Sequence, residues 1–91
     1  MYFYSDNIIG GEASDITVVM ANGDVYSGKF DRSRVQSGID LKEQAIWQIT
    51  KTAVTKADGV STYETLYPNG VKGFMFKWSE LESLTYTYCV N

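Results

Sequence analysis

Residues 39–55 read IDLKEQAIWQITKTAVT, and two periods compete within them. Leu41, Ala45, Ile49 and Ala53 recur every four residues, and Asp40 and Glu43 have the spacing of a capping box. A helix over about 40–55 would make the chain α+β. Against it stand six β-branched side chains, Ile46, Ile49, Thr50, Thr52, Val54 and Thr55, each of which loses rotamer freedom against the preceding helical turn. Trp47, Ile49, Lys51 and Ala53 also alternate with Gln48, Thr50, Thr52 and Val54, as a strand requires. Asp58-Gly59 follows, and beyond it comes a second strand run, Val60 to Tyr67. A strand, an Asp-Gly turn and a returning strand is the simpler reading, with one helical turn near Leu41 to Gln44.

The same device recurs on both sides. Ile16 to Met20 and Val25 to Phe30 flank Asn22-Gly23, a pair that tolerates the positive φ of a type I′ turn. The first of these strands is apolar on both faces, which predicts a place inside the sheet or cover on both sides. Asp31 to Gly38 is polar, holds both arginines, Arg32 and Arg34, and reads as a loop. After Val60 to Tyr67, the run Tyr67-Pro68-Asn69-Gly70 suits a type I turn followed by a glycine bulge. Val71 to Trp78 then reads as a strand with Phe74, Phe76 and Trp78 on one face. Ser79-Glu80-Leu81-Glu82 suggests one capped helical turn, and Leu84 to Val90 alternates as a last strand.

Composition agrees. Among 91 residues there are 22 Val, Ile and Thr but only nine Leu and Ala, and 13 aromatics join the strand-prone set. The expected fold is all-β: a small antiparallel barrel or sandwich of six to seven short strands, with at most one or two short helical turns. Residues 1–91 form a single β domain in this reading, with 1–11 an N-terminal arm or edge strand. In such a barrel Trp47, Phe74, Phe76 and Trp78 would fill the interior, while Tyr63, Tyr67, Tyr86 and Tyr88 would line the outer face.

The chemistry is bounded by what is missing. With no histidine, a Ser-His-Asp triad, a histidine base and histidine-ligated zinc are excluded. The single cysteine, Cys89, forms no internal disulfide and has neither a histidine nor a basic neighbour to make it a nucleophile. There is no apolar run of about 18 residues for a membrane span and no secretion signal. Asp6-Asn7 and Asp58-Gly59 resemble fragments of calcium loops but lack the repeated acidic ligands. No metal or other cofactor is expected. Glu80 and Glu82 beside Trp78, or Asp6, Glu12 and Asp15, could pair as a glycosidase pair needs, with Trp47, Trp78, Tyr63 and Tyr67 as stacking faces. Capping and solvation account for these carboxylates more simply, so no enzyme is expected.

Net charge is −3, and the local basic group of Lys29, Arg32, Arg34 and Lys42 is interleaved with Asp24, Asp31, Asp40 and Glu43. Nucleic acid is therefore not an expected partner, since phosphate binding needs clustered Lys and Arg. The aromatics point to protein partners, for Tyr and Trp are enriched in interfaces. Tyr2, Phe3, Tyr4, Tyr63, Tyr67, Tyr86 and Tyr88 are the candidate interface residues. Lys51, Lys56, Lys72 and Lys77 could guard sheet edges, whereas Met1 to Ile9 has no basic residue and is rich in apolar ones. A homo-oligomer or larger assembly follows, with the N-terminal arm or the last strand at the contact.

From Trp47 to Tyr86 a pattern runs through the chain: Trp47-Gln48-Ile49-Thr50-Lys51, Tyr67-Pro68-Asn69-Gly70, Phe74-Met75-Phe76-Lys77-Trp78 and Ser83-Leu84-Thr85-Tyr86. This C-terminal half resembles small, mostly uncharacterised proteins of tailed bacteriophages. Where those proteins often carry an Asp-Asp-Arg-like turn, this chain has Ser79-Glu80-Leu81-Glu82. The resemblance implies a phage gene product acting without catalysis as a structural or connector protein of the virion. The alternative is a small phage-encoded binding module that inhibits a host protein or sequesters a small ligand. Either would be found in the virion or the host cytoplasm.

Overall fold

The computed structural model describes residues 14–89. Residues 39–55 resolve as the strand reading requires: a 3₁₀ turn at Leu41–Glu43, then the longest of the described strands. Five strands follow one another in sequence and in space: β1 (Ile16–Val19), β2 (Val25–Phe30), β3 (Trp47–Ala57), β4 (Val60–Pro68) and β5 (Tyr86–Thr87). All neighbours are antiparallel, in the order β1-β2-β3-β4-β5. The protein is all-β, and its helical content among the described residues is three 3₁₀ turns, Arg32–Arg34, Leu41–Glu43 and Trp78–Ser83.

Four expectations are corrected. Among the described residues the sheet is an open meander and does not close into a barrel, because β1 and β5 end it without a further partner strand. β1 therefore lies at an edge, with Val19 62% exposed, rather than inside. Val71 to Trp78 is no strand: its one β-bridge to the sheet joins Phe76 and Trp47. The last strand likewise shrinks to two residues, Tyr86 and Thr87.

The turns also redistribute. Gly23 alone takes positive φ (98°) in the first hairpin, so the Asn22-Gly23 turn is not type I′. That geometry belongs to Asp58-Gly59, where φ is 54° and 77°. Asn69 has φ 52°, which places positive φ at the third turn position and excludes type I at Tyr67–Gly70.

One face of the sheet carries the core. Tyr26, Trp47 and Ile49 project from β2 and β3, and Trp78 and Leu81 of the last 3₁₀ turn cover them. Trp47 is 1% exposed, and its indole N–H donates to Leu41 O at 3.0 Å. Gln44 is buried and braces the polar loop, accepting from Gln36 N–H and donating to the Gln36 and Ile39 carbonyls. Ser79 does not cap its turn; its hydroxyl donates to Glu43 Oε1 at 2.9 Å and ties two 3₁₀ turns together.

Candidate functional site

β3 runs further than β2 can follow. Pairing between them stops at Val25 and Thr52, whereas β3 and β4 stay paired to Ala57 and Val60. Asp24 closes the step: its Oδ1 accepts the Val54 N–H at 3.0 Å, and its Oδ2 lies 3.7 Å from the Lys51 ammonium. Beyond Val54, the β3–β4 hairpin stands clear of the rest of the sheet, with residues 55–63 all exposed. Val60 and Tyr63 are 60% and 65% exposed.

The outer edge of this hairpin is open. A two-residue turn at Asp58-Gly59 makes Ala57 and Val60 a hydrogen-bonded pair, so Val60, Thr62, Glu64 and Leu66 bond to β3. The backbone groups of Ser61, Tyr63 and Thr65 then point away from β3. The next residue in that series, Tyr67, is the one that pairs with Thr87 of β5. β5 stops there, so among the described residues the outward groups of Ser61, Tyr63 and Thr65 have no strand beside them. Glu64 is the single charge from Val60 to Leu66, and it accepts a hydrogen bond from the Tyr88 hydroxyl. None of Lys51, Lys56, Lys72 or Lys77 lies on β4.

The candidate tyrosines fall into different settings. Tyr63 lies on the free part of the hairpin and Tyr88 is 57% exposed. Glu64, bonded to the Tyr88 phenol, pushes that hydroxyl's pKa above its ordinary value. Tyr67 is half-buried with the Lys72 ammonium 5.7 Å from its ring centroid. Tyr86 lies against the core rather than on the outer face: its ring meets Tyr26 edge-on at 5.5 Å and its hydroxyl donates to Leu81 O at 2.6 Å. Burial, with Tyr26 beside it, pushes the Tyr86 phenol well up. Tyr2, Phe3 and Tyr4 lie outside the described residues, as do Asp6 and Glu12.

The carboxylates weighed for acid–base chemistry are placed differently from what a sugar cleft needs. Trp47 and Trp78 are buried against each other, 5.4 Å between centroids, so neither offers a free stacking face. Glu80 and Glu82 are exposed on the last 3₁₀ turn. Asp15 is held by Arg32 at 2.8 Å and by the Phe30 N–H at 3.1 Å, and chiefly the Arg32 hydrogen bond keeps its pKa low. Arg32 also stacks on Phe30, 4.3 Å from the ring centroid. An open hollow of about 510 Å³ lies over this group, lined additionally by Lys29, Asp31 and Phe74. Among the described residues no cluster of acidic and cysteine side chains could hold a metal ion, and no helix is long and apolar enough to cross a membrane.

Comparison with protein-family models, curated proteins and solved structures gives no match. The signal for the open edge was present in the sequence: seven residues, Val60 to Leu66, with one charge and no lysine or proline. Without the register it gave no means of telling an edge from a central strand.

Proposed function

We propose that this protein works by protein–protein contact, without catalysis, as a structural or connector component of a bacteriophage virion. The observation that supports contact as its mode of action is the β3–β4 hairpin, which carries exposed Val60 and Tyr63 beside a strand edge left unpaired among the described residues. Sheet edges of this kind bind extended chain by adding a strand, with main-chain hydrogen bonds supplying affinity and the alternate side chains supplying selectivity. The phage setting rests on the Trp47 to Tyr86 pattern. Partners are proteins, in a homo-oligomer or larger assembly, and the site of action is the particle or the host cytoplasm.

Mass spectrometry of purified particles tests this reading. A structural component is present in every particle at fixed copy number. A chain found only in infected cells, and never in particles, overturns the virion role and favours the alternative of a small phage-encoded module that binds a host protein or a small ligand.

A further inference from the structure

We infer that residues 1–13 of the chain lie over the second face of the sheet, across Val25 and Ser27, and shut that face off from water. The inference goes beyond the protein-contact reading above and does not depend on it. The pairing register fixes which side chains share this face. Tyr26 and Ile49 point into the core. Their neighbours Val25, Ser27 and Lys29 on β2, and Thr50 and Thr52 on β3, therefore point the other way, with Thr17 and Val19 of β1 beside them. A sheet face open to water leaves its side chains partly exposed. Thr17 and Val19 are exposed, Val19 at 62%. Val25 and Ser27 are 7% and 4% exposed, as little as the core. The buried Ser27 hydroxyl has no hydrogen-bond partner among the described residues, so whatever lies over it excludes water.

None of the described elements supplies that cover. Trp78 and Leu81 lie on the core face, and the turn at Leu41–Glu43 packs on theirs. The Lys72 carbonyl meets the Gln48 amide opposite Lys29, two residues short of Ser27 and Thr50. Residues 1–13 have the reach and the chemistry. They join the sheet at Ser14, beside β1, and Gly10-Gly11 permits a turn from that edge onto the face. Thirteen residues span up to about 43 Å, whereas β1 and β3 are about 10 Å apart. Tyr2, Phe3, Tyr4, Ile8 and Ile9 bring the apolar surface that a dry cover needs. The charges are complementary: the segment holds Asp6 and Glu12 and no basic side chain, and Lys29 stands on the face. Ser14, Lys29 and Thr52, at the start of the path and along it, are none of them free.

Nuclear Overhauser contacts in the full chain test the inference without a variant. The Val25 methyls should show contacts to protons of residues 1–13. In an equal mixture of labelled and unlabelled chains, none of these contacts should run between chains. Val25 methyls that meet no proton of residues 1–13 overturn the inference. Contacts between chains overturn it as well, in favour of the same segment from a second copy. Thiol labelling gives a second readout. In a Cys89→Ser background, Ser27→Cys should react at least about tenfold more slowly than Thr17→Cys, its exposed cross-strand neighbour. Replacing Tyr2, Phe3, Tyr4, Ile8 and Ile9 by serine should remove most of that protection, with circular dichroism confirming the sheet. Equal rates at 17 and 27 in the full chain, or protection that survives the replacement, would contradict the docking.

Discussion

A methyl group at position 28 would stand 2.3 Å from Cζ3 of Trp78. The indole thus occupies the space that any side chain on β2 at Gly28 would take, and the last 3₁₀ turn docks on the sheet through that contact. Gly28→Ala must push Trp78 away, and Trp78 is itself 7% exposed. Overpacking of this kind costs about 1–3 kcal/mol. Chemical denaturation should show that loss, accompanied by a shift in tryptophan emission. An unchanged midpoint would mean that Trp78 is not seated there.

Ser27, the neighbouring residue on β2, gives the opposite expectation. Its hydroxyl is buried, with no hydrogen-bond partner among the described residues. Removing an unpaired buried hydroxyl relieves its desolvation, so Ser27→Ala should be neutral or stabilising by up to about 1 kcal/mol. A large loss of stability would reveal a bond to that oxygen.

Tyr86 donates to Leu81 O from a half-buried site. Tyr86→Phe should cost about 1 kcal/mol, the net worth of one such bond. The folded pKa of this phenol is raised, so its contribution is full below the unfolded value near 10 and is lost as pH rises through the folded value. Ultraviolet titration should show at least one tyrosine fewer ionising at pH 11 in the folded protein than in denaturant, and Tyr86→Phe should narrow that difference.

Asp15 works on the acid side. The Arg32 guanidinium, helped by the Phe30 N–H, holds its folded pKa below the usual carboxylate value. Its contribution is therefore present above the unfolded pKa near 4 and is lost as pH falls through the folded one. Between pH 5 and pH 2 the Asp15→Asn variant should lose less stability than the parent. Because Arg32 is largely exposed, the difference at pH 7 should be small and should shrink further in 1 M salt.

Two hairpins were the legible part of this fold, because Asn22-Gly23 and Asp58-Gly59 sit between β-branched runs and act locally, whereas no strand directly follows Pro68-Asn69-Gly70. The turn types were less so, since Asn22 and Asn69 both tolerate two conformations and the strands around them decide. Val71 to Trp78 has a strand's alternation, yet Trp78 is drawn onto Gly28 and Phe76 makes a single bridge, so packing overrides the pattern. A lone glycine within the β2 run was the available sign of that close approach. β1 misled through its continuous apolar run, which it carries at an edge. The candidate site was legible only in its tyrosines: Tyr63 is on the open hairpin, but Tyr86 belongs to the core, and each follows a threonine, Thr62 and Thr85, in an alternating run.

Hydrogen exchange along β4 tests the open edge most directly. In the dilute chain, the amides of Thr62, Glu64 and Leu66 should be protected by β3, while those of Ser61, Tyr63 and Thr65 exchange freely. In the assembled state, the second set should become protected as well. Uniform protection of all six in the dilute monomer, or free exchange of Ser61, Tyr63 and Thr65 in the assembly, would contradict the account.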